Sequence, residues 1–172
     1  MYRPMDEVAN LLGALALHVT GQVRAAVTDR ASGGGVLADA LVVIKDQPGR
    51  TVDWLGQVLQ VSQPGAVHVV RKLAGAGWVE KRPGADARSL ALYLTAAGAQ
   101  VADGVLAARQ EVLLRLVGTL TPDQRAALAS VAAALLGPPA EDERSLARLC
   151  RLCDRSCCGH CPVHAALSGR SS

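Results

Sequence analysis

A long stripe of apolar residues near the start of the chain constrains the fold more than any other sequence feature. Between residues 5 and 29, apolar residues recur at intervals of three and four, the spacing of one face of an α-helix. The stripe consists of Val8, Leu11, Leu12, Leu15, Val19, Val23 and Val27. Another long stripe follows residue 95, and 172 residues form about one domain. Since so small a domain cannot cover both helices, the stripes predict a helical protein that pairs with a second chain.

The kind of apolar residue supports this interpretation. Half of the residues are hydrophobic, none is Phe, and the aromatic residues are Tyr2, Trp54, Trp78 and Tyr93. Packing must therefore depend on aliphatic helix faces, which favours a mostly α-helical core. The formal net charge of +3 is too small to indicate a nucleic-acid partner by itself. We find no signal-peptide pattern, and the apolar runs are interrupted short of a membrane span, so we expect a cytoplasmic protein with no membrane partner.

Two short helical patterns, residues 52–59 and 62–77, meet in a tight turn. Thr51 and Ser62 are predicted N-caps, and Pro64 is tolerated in a first helical turn. The core-facing residues predicted for the second helix are Val67, Val70 and Leu73. Its outward face is polar and basic, and consists of Gln63, Pro64, Gly65, His68, Arg71 and Lys72. The predicted DNA-binding residues of this helix are Ser62, Gln63, Gly65, His68, Arg71 and Lys72. This is the layout of a helix-turn-helix whose second helix enters the major groove of DNA.

Residues 78–82 and 89–94 have β character and are joined by a polar loop, which predicts a β-hairpin wing. In the second strand, Leu90, Leu92 and Leu94 are predicted to face inward. We expect Gln63 to pair with adenine and His68 or Arg71 to reach a base or a phosphate. Lys72, Lys81 and Arg82 would neutralise phosphates, and Arg88 at the hairpin tip would reach a minor groove. The alternative is that these basic residues only form a solvated face.

The rest of the chain completes four predicted regions. Thr95 can cap a long helix, and the segment 121–124 is a capping box that opens another. The predicted organisation is an N-terminal dimerisation helix in 1–35, a winged helix-turn-helix lobe in 36–94, C-terminal dimerisation helices in 95–137, and a cysteine-rich tail in 138–172. The predicted fold class is mostly α with a small β-hairpin wing.

Over residues 8–136 the chain resembles the multiple-antibiotic-resistance regulator (MarR) family. Residues 61–63 and 70–82 look like the family's recognition helix and first wing strand, 86–89 like its wing signature, and 94–98 like the entry to its dimerisation helix. The resemblance implies a transcriptional regulator, a repressor rather than an enzyme, that acts as a homodimer on a pseudo-palindromic operator in double-stranded DNA. It also implies a small-molecule effector in a crevice between the dimerisation helices and the DNA-binding lobe, here mainly aliphatic, with Trp54 as a candidate wall residue.

The tail contains all five cysteines, Cys150, Cys153, Cys157, Cys158 and Cys161. Two of the spacings are C-x-x-C, so four thiolates could hold zinc or an iron–sulfur cluster. Clustered thiols beside arginines could instead form reversible disulfides, and a third alternative is that they are buried structural thiols. The sequence therefore leaves metal binding, redox sensing and a structural role open.

Two other functions compete with DNA-binding regulation. Pro64 and Gly65 stand where the family usually has small hydroxyl residues, which motivates a protein-interaction module that has lost DNA binding. The paired C-x-x-C motifs motivate a thiol–disulfide redox protein, although the βαβ pattern expected around such a motif is missing.

Overall fold

A computed structural model of the chain describes residues 6–31, 35–84, 90–136, 142–157, 161 and 163. The described elements are seven α-helices, one two-stranded sheet and a short 3₁₀ turn. The helices are α1 (Glu7–Thr28), α2 (Gly35–Asp46), α3 (Val52–Leu59), α4 (Gln63–Gly75), α5 (Ala96–Gly118), α6 (Pro122–Leu136) and α7 (Glu143–Leu149). The strands are β1 (Val79–Pro83) and β2 (Leu90–Leu94), and the 3₁₀ turn is Arg155–Cys157. The prediction of a mostly α fold with a small wing is confirmed.

The helix starts lie where hydroxyl caps were predicted. Thr51 accepts a hydrogen bond from the Trp54 amide at 3.2 Å, and Thr95 accepts one from the Gly98 amide at 3.0 Å. The Thr121 amide donates to the side-chain oxygen of Gln124 at 2.9 Å, and the Gln124 amide donates to the Thr121 hydroxyl at 3.3 Å. The predicted capping box is therefore present. These side chains satisfy amides that the first helical turn leaves without partners.

The wing is an antiparallel pair in which Val79 lies opposite Leu94 and Pro83 opposite Leu90. The segment before α3 extends this pair, because the Leu92 amide donates to the Arg50 carbonyl at 2.9 Å and Thr51 bridges Ala91. The loop 85–89, with the predicted tip residue Arg88, lies outside the described residues. The base of the wing is thereby joined to the start of the helix-turn-helix.

The core lies where α2, α4 and α5 meet, around Leu41, Leu73 and Val105. Two predicted core positions were wrong. Val67 is 46% exposed, since α4 turns Ala66, Val69, Val70 and Leu73 inward instead. Leu90 is 51% exposed, because it pairs with Pro83 at the outer end of the hairpin, beyond the part of β2 that covers the core.

The N-terminal and C-terminal helices are poorly covered. In α1 only Val23 and Val27 are buried, and α6 has no buried residue. Among the described residues, α1 is the one helix whose length and apolar composition would suffice to span a membrane. The expectation that no apolar run reaches that length was wrong for α1, because its few polar residues do not lower its average hydropathy enough.

Candidate DNA-binding surface and cysteine-rich tail

The helix-turn-helix is closely packed at its crossing. A Cβ added to Gly56 on α3 would lie 2.9 Å from the Cβ of Ala66 on α4, which is too short for two carbon atoms. Gln60 has a φ of 57° and ends α3, so the chain reverses direction before Ser62 caps α4. The close packing at Gly56 was not predicted from the sequence. A glycine four residues before the turn, on the face of α3 that meets α4, is the signal that could have indicated it.

The predicted base-reading side chains share one exposed face of α4. Gln63 lies in the first turn, and His68 and Arg71 follow on exposed positions. The Nδ1 atom of His68 and a terminal nitrogen of Arg71 are 2.9 Å apart, at hydrogen-bonding distance. Ser62 accepts a hydrogen bond from the Gly65 amide at 3.3 Å, so both act in starting the helix. Lys72 is exposed one position beyond Arg71.

The basic residues of β1 are exposed but differ in their partners. The Nε atom of Arg82 donates to Glu80 at 2.9 Å, and its guanidinium lies 4.5 Å from the centre of the Tyr93 ring. Lys81 is exposed between these two residues. A phosphate would therefore have to compete with Glu80 for Arg82, whereas Lys81 points its charge into solvent.

The tail is fastened to the lobe by ion pairs that the sequence did not reveal. Arg151 donates to Asp39 on α2 at 3.0 Å, and Arg155 donates to Asp46 at the end of α2 at 2.6 Å. Glu143 at the start of α7 pairs with Arg50, directly before α3. These partners are 93 to 112 residues apart in the chain, a separation at which sequence periodicity carries no information.

Cys150 and Cys153 adjoin the end of α7, in a turn rather than on a helical face. The Cys153 amide donates to the Cys150 carbonyl at 2.8 Å. Hydrogen bonding to the Cys150 thiol, together with the positive charges of Arg109 and Arg155, lowers the pKa of Cys153 to about 6 despite its burial. The same hydrogen bond and burial raise the pKa of Cys150.

Of the other three cysteines, the structure describes the side chain of Cys161 alone. Cys161 packs with Cys150 against Leu146 and Val163. Cys158 and the side chain of Cys157 lie outside the described residues. Among the side chains that are described, no group of three or more His, Cys, Asp or Glu could hold a metal ion.

Two cavities adjoin the tail. The first, of about 410 Å³, lies between α1, α5 and the tail, and the second, of about 570 Å³, lies between α2, α5 and the tail. The first cavity combines aliphatic residues with four arginines, which are Arg24, Arg109, Arg148 and Arg151. Trp54 lines neither cavity; it packs on the core, with the Arg50 guanidinium 4.9 Å from its ring centre.

Comparison with known proteins agrees with this architecture. Residues 38–89 match the family model described as MarR family. RV1404 from Mycobacterium tuberculosis superposes with a TM-score of 0.68 at 19% identity, over 78% of this chain and 94% of that one. Wild-type MarR from E. coli, in its apo form, superposes with a TM-score of 0.61 at 25% identity, over 73% of this chain and 96% of that one.

A third solved structure, MepR, is a transcription regulator of the Staphylococcus aureus multidrug efflux pump MepA; it superposes with a TM-score of 0.63 at 16% identity, over 73% of this chain and 93% of that one. Curated protein sequences give no significant match. Members of the MarR family are transcription regulators and not enzymes. Residues 38–89 are thus similar to the MarR family, and the chain has the fold of that family's solved members.

Proposed function

We propose that this protein is a cytoplasmic, sequence-specific DNA-binding repressor that acts as a homodimer. The observation that carries the proposal is the exposed polar face of α4, where Gln63, His68 and Arg71 stand together at the start and middle of a capped helix. Those residue types bind base edges in the major groove. Lys72 and Lys81 are exposed beside this face, form no ion pair with any residue that the structure describes, and fit phosphates on either side.

The uncovered helices support the dimer. The exposed apolar residues of α1 are Val8, Leu11, Leu12, Leu15 and Leu17, and those of α6 are Leu128, Val131, Leu135 and Leu136. Apolar surface on this scale favours association with another chain. A two-fold dimer presents two α4 helices to half-sites about one turn of DNA apart, and a protein seated on both can exclude the transcription machinery from an overlapping promoter.

The arginine-lined cavity between α1, α5 and the tail supports an effector site. Its apolar residues, Val19, Val23, Leu113, Leu149 and Leu152, lie beside the four arginines, of which Arg24 and Arg151 also bind Asp39. Such a lining favours a small anionic molecule with an apolar part. Because the cavity joins a predicted dimerisation helix to the tail that contacts α2, an occupant there can alter the spacing of the two α4 helices.

DNA binding is tested by selecting duplexes from a random pool with the full chain and measuring affinity by fluorescence anisotropy. We expect a pseudo-palindromic site. Arg71→Ala should weaken its binding by about 1–3 kcal/mol, and Lys81→Ala should reduce the slope of log affinity against log salt by about 1. Arg115→Ala is the matched control, because it lies on α5 about 28 Å along the helix from its wing end and is exposed.

Two results would contradict the proposal. One is the absence of any enriched duplex, and the other is an Arg71→Ala variant that binds DNA as well as the Arg115→Ala control. Either result would favour a winged-helix module that binds another protein.

A further inference from the structure

The turn after α7 holds two free thiols at a separation suited to a disulfide. The hydrogen bond from the Cys153 amide to the Cys150 carbonyl closes a four-residue turn. Turns of this kind keep the first and last Cα atoms within about 7 Å, and disulfide-bonded cysteines have Cα atoms about 4.4–6.8 Å apart. Both thiols are free. Little backbone movement is therefore needed to join them.

The two sulfurs differ in the charged groups around them. A terminal nitrogen of Arg109, from α5, lies 3.8 Å from the Cys153 sulfur, and Arg155 adds a second positive charge two residues along the chain. These cations stabilise a thiolate at Cys153. Cys150 instead packs against the apolar side chains of Leu146 and Val163. The Cys153 sulfur is thus suited to attack an oxidant, and the Cys150 sulfur to attack the oxidised Cys153 afterwards.

Cys153 also adjoins two cavities. It lies in the wall of both cavities, so small molecules can approach it from the α1 side and from the α2 side. Cys150 lines neither of these two cavities. A reagent of a few atoms in either cavity would therefore lie beside Cys153.

We propose that Cys153 and Cys150 are a dithiol that reduces hydroperoxides and closes to a disulfide. The Cys153 thiolate attacks the terminal oxygen of ROOH, the O–O bond breaks, and the leaving alkoxide takes a proton to give ROH and a Cys153 sulfenic acid. The Cys150 sulfur then attacks the Cys153 sulfur, the S–O bond breaks, and water leaves with the Cys150 proton. Two thiols lose two electrons, and the hydroperoxide becomes an alcohol and water. This reaction goes beyond DNA binding and does not depend on it.

The sequence allows each disulfide to be identified. Trypsin cleaves after Arg148, Arg151 and Arg155, so Cys150 falls in peptide 149–151, Cys153 in 152–155, and the other three cysteines in 156–170. The full chain, reduced and free of oxygen, is treated with one equivalent of hydrogen peroxide, alkylated, digested and analysed by mass spectrometry. We expect peptides 149–151 and 152–155 to be joined with the loss of two hydrogen atoms.

Variants assign the order of the steps. Cys150→Ser should accumulate a sulfenic acid on Cys153 that dimedone traps, which keeps a readout even if the disulfide cannot form. Arg109→Ala should slow the first step about tenfold, as expected for a thiolate that loses its cation. Cys161→Ser is the matched control and should form the same linked peptide at the wild-type rate.

Three outcomes would overturn the proposal. The first is a disulfide that joins peptide 149–151 to 156–170 instead. The second is a Cys153 that hydrogen peroxide leaves unmodified in both wild type and Cys150→Ser. The third is a stoichiometric zinc ion or iron–sulfur cluster, detected by elemental analysis of the same sample, that protects Cys150 and Cys153 from oxidation.

Discussion

Asp39 is a carboxylate whose side chain is only 4% exposed, and it binds guanidinium groups from two distant parts of the chain. Arg24 on α1 donates to both of its oxygens, at 2.7 and 2.9 Å, and Arg151 in the tail donates to one of them at 3.0 Å. The hydrogen bond with Asp39 also raises the pKa of Arg24. A buried carboxylate needs such partners, so Asp39 holds α1, α2 and the tail together.

Asp39→Asn should therefore lower the free energy of unfolding by about 2 kcal/mol, since two charge-assisted contacts are lost while the volume is kept. Urea unfolding at a fixed chain concentration measures this. The tail should also become more sensitive to trypsin after Arg148. Asp123→Asn, on the exposed first turn of α6, is the control and should change stability by less than about 0.5 kcal/mol. Equal stability of the two variants would show that Asp39 does not hold the tail.

At the scale of elements, α5 begins in direct contact with the chain that enters the wing. A Cβ built on Gly98 would lie 1.9 Å from the Trp78 carbonyl oxygen and 2.8 Å from its carbonyl carbon. The Thr95 amide donates to the same carbonyl at 3.0 Å, and its hydroxyl donates to the Gly77 carbonyl at 2.7 Å. Only glycine lets the first turn of α5 approach this closely, which fixes the wing on α5.

Gly98→Ala should destabilise the protein by about 1–3 kcal/mol or more, because α5 must move away from Trp78. Gly104→Ala is a matched control on the same helix, where an added Cβ meets nothing within 4 Å. That variant should gain up to about 1 kcal/mol from helix propensity alone. Thermal unfolding of both variants measures the difference, and the same sign for both would contradict the close contact.

Local signals in the sequence predicted the elements well and the contacts between them poorly. Thr51, Ser62 and Thr95 cap helices because a cap depends only on the next few residues. Val67 and Leu90 were placed in the core because apolar spacing cannot show which face meets another element or where a hairpin leaves the core. The sequence identified Arg151 and Arg155 only as neighbours of the thiols. Their partners on α2 lie more than a hundred residues away in the chain, and no local pattern predicts such a pair.

At the scale of the whole molecule, the tail and the DNA-binding lobe form one connected unit. The Arg151–Asp39 and Arg155–Asp46 pairs attach the segment after residue 142 to the second turn and the last residue of α2, and the Arg50–Glu143 pair attaches it to the chain directly before α3. A disulfide in the 150–153 turn would constrain Arg151, which lies within it. Thiol chemistry in the tail therefore acts on residues that also position the helix-turn-helix.

The apolar faces of α1 and α6 lead to the last prediction, which concerns assembly. Leu11 and Val131 are more than half exposed, and the proposed homodimer buries them. Leu11→Glu and Val131→Glu should each raise the dimer dissociation constant at least about 100-fold, because an unpaired carboxylate must then enter an apolar interface. Leu90→Glu is the control, being equally exposed but on the wing, and should leave the dimer intact.

Sedimentation equilibrium of the three variants and the wild-type chain measures these constants. Flotation with lipid vesicles tests the alternative, in which the apolar face of α1 binds a bilayer. We expect a wild-type dimer that stays with the soluble fraction, since a dimer interface covers the apolar stripe of α1 and removes the reason to enter a bilayer. A wild-type monomer that floats with vesicles would contradict the dimer and assign the apolar face of α1 to the membrane instead.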